Sequence, residues 1–250
     1  MVKSIRYKKN YEVELSDLDF KGRLRLSSLF TYFQDVANLA ADELGVGIEK
    51  LYNDYGIVWV LTRIRVDVER YPTLNEQIII ETWPQEPGKI EFERDFLVRD
   101  QQGNVIIRAM SSWVLMDIKE RKLRRTSQID LTYPEIIEDR AIHSKFKKLK
   151  DFGNLNHTYH KVISYSDIDF NGHLTNSKYV DYILDCLDMD LHKQFDVSSI
   201  EVNFVNEALP GETISLLKDD SLIKEGKVYI EGQIQNKTTF KSELMLKENK

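Results

Sequence analysis

The sequence predicts an α+β protein built from two fused copies of one unit, each an antiparallel sheet wrapped around a single long helix. Three observations carry this. A twenty-residue stretch recurs at a fixed offset. In each copy a helix-period segment is followed by several strand-period runs. The composition, 42% hydrophobic and 30% charged without a low-complexity stretch, is that of a chain that folds throughout.

The repeat organises the rest. Ser16 to Asp35, SDLDFKGRLRLSSLFTYFQD, aligns without gaps on Ser166 to Asp185, SDIDFNGHLTNSKYVDYILD, at an offset of 150. Nine of the twenty positions are identical: Ser16, Asp17, Asp19, Phe20, Gly22, Leu24, Ser27, Tyr32 and Asp35, each with its partner. A second match sets Pro72-Thr-Leu-Asn-Glu-Gln-Ile against Ala208-Leu-Pro-Gly-Glu-Thr-Ile, pairing Glu76 with Glu212 at an offset of 136. The first copy therefore carries 14 extra residues between helix and strand, expected within Gly45 to Trp59.

Each element has a local reason. The N-terminal residues alternate as a strand does. Leu29, Phe33, Val36, Ala40 and Leu44 recur at helical steps after Ser27 and Ser28, the candidate N-caps. Val58 to Glu69 alternates with the period of a half-buried strand. Strands are expected at Gln77 to Trp83, Ile90 to Arg99 and Val105 to Met116, with a turn at Arg99-Asp-Gln-Gln-Gly-Asn between the last two. In the second copy Tyr179, Ile183 and Leu187 mark a helix. Strands follow near Ile200 to Val205, Thr213 to Leu217, Val228 to Gln235 and Thr239 to Leu246. The expected domains are residues 1–130, a linker at 131–156 that holds Pro134 and a lysine run, and residues 157–250.

A net charge of −6 argues against general nucleic-acid binding. Two basic clusters remain candidates for docking an acidic partner: Lys119, Arg121, Lys122, Arg124 and Arg125, and Lys145, Lys147, Lys148 and Lys150. No run approaches the roughly 18 apolar residues of a membrane span. The first residues lack the apolar core of a signal peptide, and the single cysteine, Cys186, fits a reducing compartment, so a cytoplasmic location is expected. His143, His157, His160 and His192 show no metal-ligand spacing, and no phosphate loop or G-x-S-x-G elbow occurs. Neither a metal nor a nucleotide cofactor is indicated.

The copies differ where chemistry would sit. Asp169-Phe-Asn171-Gly-His173 corresponds to Asp19-Phe-Lys21-Gly-Arg23, so the framework persists while Asn and His do not. A loop entering a helix offers unpaired N–H groups to an oxygen that gains negative charge. Asn171 would add an amide donor, and His173 could move protons near neutral pH. Asp169 recurs as Asp19, so an orienting role stands beside a catalytic one. Glu207, where the first copy has Tyr71, is the candidate carboxylate to activate water.

At Asp169-Phe-Asn-Gly-His-Leu-Thr-Asn-Ser-Lys-Tyr the chain resembles the acyl-acyl carrier protein thioesterases of plant plastids and bacteria, whose motif runs Asp-x-Asn-x-His-x-x-Asn-x-x-Tyr. Asn176 and Tyr179 fit it, as do Trp59-Val-Leu-Thr-Arg-Ile, Val68-Glu-Arg-Tyr-Pro and Glu81-Thr-Trp in the first copy. The resemblance implies two tandem hotdog domains, the first a non-catalytic half of the acyl pocket and the second catalytic. It also implies release of free fatty acid from acyl carrier protein, which terminates chain elongation. The family's catalytic residues fall on Asp169, Asn171, His173 and Glu207. Many plant members carry cysteine after that glutamate, whereas this chain has Ala208, and Cys186 reads as core. Attack by Asp169 to give an acyl-enzyme stays open beside direct attack by water. The alternatives are a hotdog thioesterase acting on coenzyme A esters and a non-catalytic acyl-thioester binding module. The tandem fusion is compatible with a monomer or a homodimer.

Overall fold

The computed structural model describes residues 6–128, 136–147, 149 and 153–249. Leu131 to Pro134, Lys148 and Lys150 lie outside the described residues. The chain divides into two compact units, the first of residues 1–25, 31–64 and 69–144, the second of residues 26–30, 65–68 and 145–250.

The first unit opens with strand β1 (Tyr7–Glu12), the long helix α1 (Leu26–Glu43) and the short helix α2 (Ile48–Tyr55). Strands β2 (Ile57–Val68), β3 (Gln77–Pro84), β4 (Glu91–Arg99), β5 (Val105–Asp117) and the two-residue β6 (Leu123–Arg124) follow. Their order in the sheet is β1-β3-β4-β5-β2. The β4–β5 turn falls where the sequence places it, closed by Asp100 N–H to Asn104 O at 3.0 Å with Gly103 at φ 85°. Phe33 of α1 meets Phe96 of β4 at 4.7 Å between ring centroids, and both are buried. That contact seats the apolar stripe of the helix on the sheet.

The second unit runs β7 (Asn156–Val162), α3 (Asn176–Leu184), α4 (Met189–Gln194), β8 (Phe195–Phe204), β9 (Thr213–Asp219), β10 (Lys227–Ile234) and β11 (Lys237–Glu248). Its sheet order is β8-β11-β10-β9-β7. Tyr179 of α3 packs edge-on against Phe204 and Phe240, with centroids 5.3 and 5.5 Å away.

Three local expectations change. Neither Ser27 nor Ser28 caps α1: the N-cap is Arg25, and Ser27 is buried inside the helix. Backbone bonds from Leu24 N–H to Pro72 O and from Arg25 N–H to Asp17 O deliver the chain to the helix start, so the register is fixed without a side-chain cap. The extra residues of the first copy mostly lengthen its helix, 18 residues in α1 against 9 in α3, instead of filling Gly45 to Trp59. Both copies place a short helix next, so α2 is not an insertion. β8 begins at Phe195, five residues before the apolar alternation, because pairing with β11 recruits the polar Asp196 and Ser199.

Three of the basic side chains have acidic partners. Arg124 pairs with Asp117 and Lys122 with Glu120, while Lys147 donates its backbone N–H to Glu201 at 3.1 Å and points its ammonium at Glu243.

Residues before the lysine run dock on the first sheet. Trp83 Nε1 and Gln85 Nε2 donate to Asp139 O at 2.8 Å each. The fully buried Asp95 accepts the Ala141 N–H at 2.9 Å and lies 3.0 Å from Arg140 Nε. Burial pushes the Asp95 carboxyl up to about 6, against the Ala141 N–H and the Arg140 charge, while Glu93 adds to the rise. The folded chain therefore holds this proton more tightly than the unfolded chain does. Stability from this group grows as pH falls through the folded value and is lost as pH rises. Between about pH 7 and about pH 5 the gain is about 1 kcal/mol, or roughly 2 to 4 °C in Tm. Thermal melts of wild type and Asp95→Asn at the two pH values should differ by that rise, present only in wild type.

Candidate active site

The loop before α3 is a small scaffold held by backbone. After a 3-10 turn at Tyr165–Asp167, Ile168 and Leu174 form an antiparallel bridge. Asp169 N–H donates to His173 O at 2.9 Å and Gly172 N–H to Asp169 O at 3.0 Å. Asp169 Oδ1 accepts the N–H groups of Asn171 at 2.8 Å and His173 at 3.2 Å. Gly172 has φ 80°, a conformation that favours glycine. The first copy repeats each feature. Asp19 Oδ1 accepts from Lys21 at 2.8 Å and Arg23 at 3.1 Å, Asp19 N–H donates to Arg23 O at 2.7 Å, and Gly22 has φ 72°. The retained Asp and Gly are thus explained by the loop itself.

The second sequence match is realised as well. Leu174 N–H donates to Ala208 O at 3.0 Å, as Leu24 N–H does to Pro72 O at 2.8 Å. This joins the loop to the segment carrying residue 207 and puts the two differing positions side by side. In the second copy His173 Nε2 lies 3.3 Å from Glu207 Oε2, with the side chains 27% and 35% exposed. In the first copy the Arg23 guanidinium lies over the Tyr71 ring, 4.7 Å from its centroid. One scaffold presents an acid–base pair in one copy and a cation–π pair in the other.

Asn171 is exposed on the same loop, two residues before His173. Helix α3 starts at Asn176 with Thr175 as N-cap, but the Thr175 hydroxyl donates to Asp167 O at 3.0 Å, so no side chain caps the first turn. The first turn of α3 is thus closed by backbone alone, with Lys178 N–H donating to Thr175 O at 2.9 Å. Among the described residues no group of three or more His, Cys, Asp or Glu side chains is placed to hold a metal ion. No described helix is long and apolar enough to cross a membrane.

Family models for the acyl-ACP thioesterase N-terminal and C-terminal domains match residues 4–131 and 150–249. The chain belongs to the acyl-ACP thioesterase family. A chloroplastic acyl-[acyl-carrier-protein] hydrolase of Cuphea viscosissima is 30% identical over 158 residues, covering 60% of this chain and 38% of that protein. A chloroplastic palmitoyl-acyl carrier protein thioesterase of Arabidopsis thaliana is 26% identical over 218 residues, 80% of this chain and 52% of that one. The chain thus spans about half the length, or less, of these curated relatives. The crystal structure of an acyl-ACP thioesterase from Bacteroides thetaiotaomicron superposes with a TM-score of 0.90 at 24% identity, covering 99% of this chain and all of that one. The fold is the tandem hotdog of the acyl-ACP thioesterases.

In this member of the acyl-ACP thioesterase family the lone cysteine is a buried residue with a main-chain partner. Cys186 is buried on the helix side, its Sγ 3.3 Å from Tyr182 O, and burial pushes the thiol up to about 12. It is an inert core thiol. Two side-chain bonds that sequence patterns do not assign fix the chain on either side of Glu207. Asn206 Nδ2 donates to Thr238 O at 2.7 Å, and Glu212 Oε2 accepts the Leu209 N–H at 2.8 Å. The Glu76–Glu212 match was the available signal for the second, since Glu76 accepts the Thr73 N–H at 3.0 Å in the same way. Nothing local marks the first.

Proposed function

We propose that this chain hydrolyses the thioester between a fatty acyl group and acyl carrier protein, releasing free fatty acid and ending chain elongation, with the second copy alone carrying the chemistry. The His173–Glu207 pair, present in the second copy and replaced by Arg23 and Tyr71 in the first, carries the reading.

Glu207 and His173 together take a proton from a water whose oxygen attacks the thioester carbon. Asn171 and the leading N–H groups of α3 stabilise the negative charge that gathers on the carbonyl oxygen. The carbon–sulfur bond then breaks, the proton passes to the departing sulfur, and the products are the acid and the carrier thiol. Asp169 orients the loop. Its Oδ1 already accepts two N–H groups, and Asp19 makes the same bonds where no acid–base pair exists, which favours direct attack by water over an acyl-Asp169 intermediate. A single turnover in oxygen-18 water should place label in the fatty acid. Label in Asp169 would overturn this step.

The same reading takes the chain to be cytoplasmic, in keeping with a lone reduced thiol. Hydrolysis rates on matched acyl-carrier and acyl-CoA substrates test the substrate class. Clear preference for the carrier is expected, and equal or higher kcat/KM on the CoA ester would move the chain to the CoA-thioesterase class.

A further inference from the structure

Exposed apolar side chains flank His173 and Glu207 along the chain. Phe170, in the loop between Asp169 and Asn171, is 76% exposed, and Val205 and Leu209, two residues to either side of Glu207, are 53% and 45% exposed. Their backbones are fixed. Val205 N–H donates to Thr239 O at 2.8 Å, Leu209 N–H to Glu212 Oε2 at 2.8 Å, and the loop carrying Phe170 is held through Asp169. The exposure therefore belongs to ordered structure.

The first copy shows that the scaffold does not need Val205 and Leu209, although it keeps Phe20, 56% exposed, at the position of Phe170. Glu69 and Thr73 stand where the second copy has Val205 and Leu209, and Glu69 N–H donates to Ile106 O just as Val205 N–H does to Thr239 O. Polar side chains thus suit the same backbone. The apolar pair beside residue 207 occurs only in the copy that carries the acid–base pair, and apolar side chains on a fixed, water-facing backbone mark a surface that another molecule covers.

We propose that Phe170, Val205 and Leu209 form an apolar collar on which acyl carrier protein seats while it delivers its thioester. This rests on the acyl-carrier reading above. A thioester tethered to a protein reaches His173 and Glu207 only when its carrier approaches the face that holds them, so the side chains rimming that face meet the carrier first. Apolar groups at the centre of a contact contribute most of its affinity, with charges acting at the rim. Arg124, Lys122 and Lys147 fit a central role less well, since they already pair with Asp117, Glu120 and Glu243.

The test compares wild type with Phe170→Ser, Leu209→Ser and the combined Phe170→Ser/Val205→Thr/Leu209→Ser variant. Each is assayed on an acyl carrier and on the same acyl group carried by a short pantetheine-like thiol. The collar predicts a KM on the carrier raised on the order of tenfold in the combined variant, with kcat/KM on the small thioester within about twofold of wild type. An unchanged carrier KM overturns it. So does a parallel loss on both substrates, which would place these residues in the chemistry. Sedimentation and vesicle binding are run alongside: loss of self-association or of vesicle binding with carrier KM unchanged would give the collar to a second copy or a lipid surface. Wild type that cleaves the small thioester but no acyl carrier would remove the carrier reading itself, a result distinct from failure of the collar.

Discussion

Glu207→Gln should lower kcat for thioester hydrolysis by at least about a hundredfold while leaving KM within roughly twofold, because it removes proton acceptance without removing bulk. The amide keeps the shape of the carboxylate and still reaches His173, now 3.3 Å from its Oε2. At 35% exposure the side chain is not a core element, so the variant should melt with wild type. His173→Gln should give a loss of similar size. Since the two groups move one proton between them, the double variant should be little worse than either single one. Single-turnover release of fatty acid measures all three, and losses that multiply would show that the residues act independently.

The second large effect concerns the loop. Asp19→Ala and Asp169→Ala each delete an acceptor of two backbone N–H groups. Bonds to a charged acceptor are worth about 1.5 to 3 kcal/mol each, and water will replace part of that at these partly exposed loops, so each variant should lose about 2 kcal/mol. The stability losses should match between the copies while only Asp169→Ala lowers kcat. Chemical unfolding and initial rates on the same preparations check this. An Asp19→Ala variant as stable as wild type would show that the retained aspartate is not there for the loop.

Much of this was legible in the sequence because the chain contains its own comparison. Two gapless matches at different offsets fixed which residues correspond. Where the copies agree, at Asp169, Gly172 and Leu174, the structure shows backbone bonds that any copy of the loop requires. Where they differ, at His173 and Glu207, it shows side chains in contact. Alternation located β2, and strand-like runs located β3 to β5, within a residue or so of their ends, even though β3 to β5 carry stretches buried on both faces. The start of β8 escaped because Asp196 and Ser199 carry no apolar signal, and pairing to β11 alone makes them strand. The helix start escaped for a related reason: serine is the common cap, but backbone bonds at Leu24 and Arg25 had already set the entry. Asn206 was invisible because its partner, Thr238 O, is a main-chain atom 32 residues away.

The most direct measurement is the initial rate of fatty-acid release from an acyl carrier by two paired variants, Arg23→Gln/Tyr71→Phe in the first copy and His173→Gln/Glu207→Gln in the second. The first pair should keep at least about half the wild-type rate and the second should lose at least about a hundredfold, both remaining folded. Comparable losses in the two would contradict this, because the first copy would then take part in the chemistry it is held here only to support.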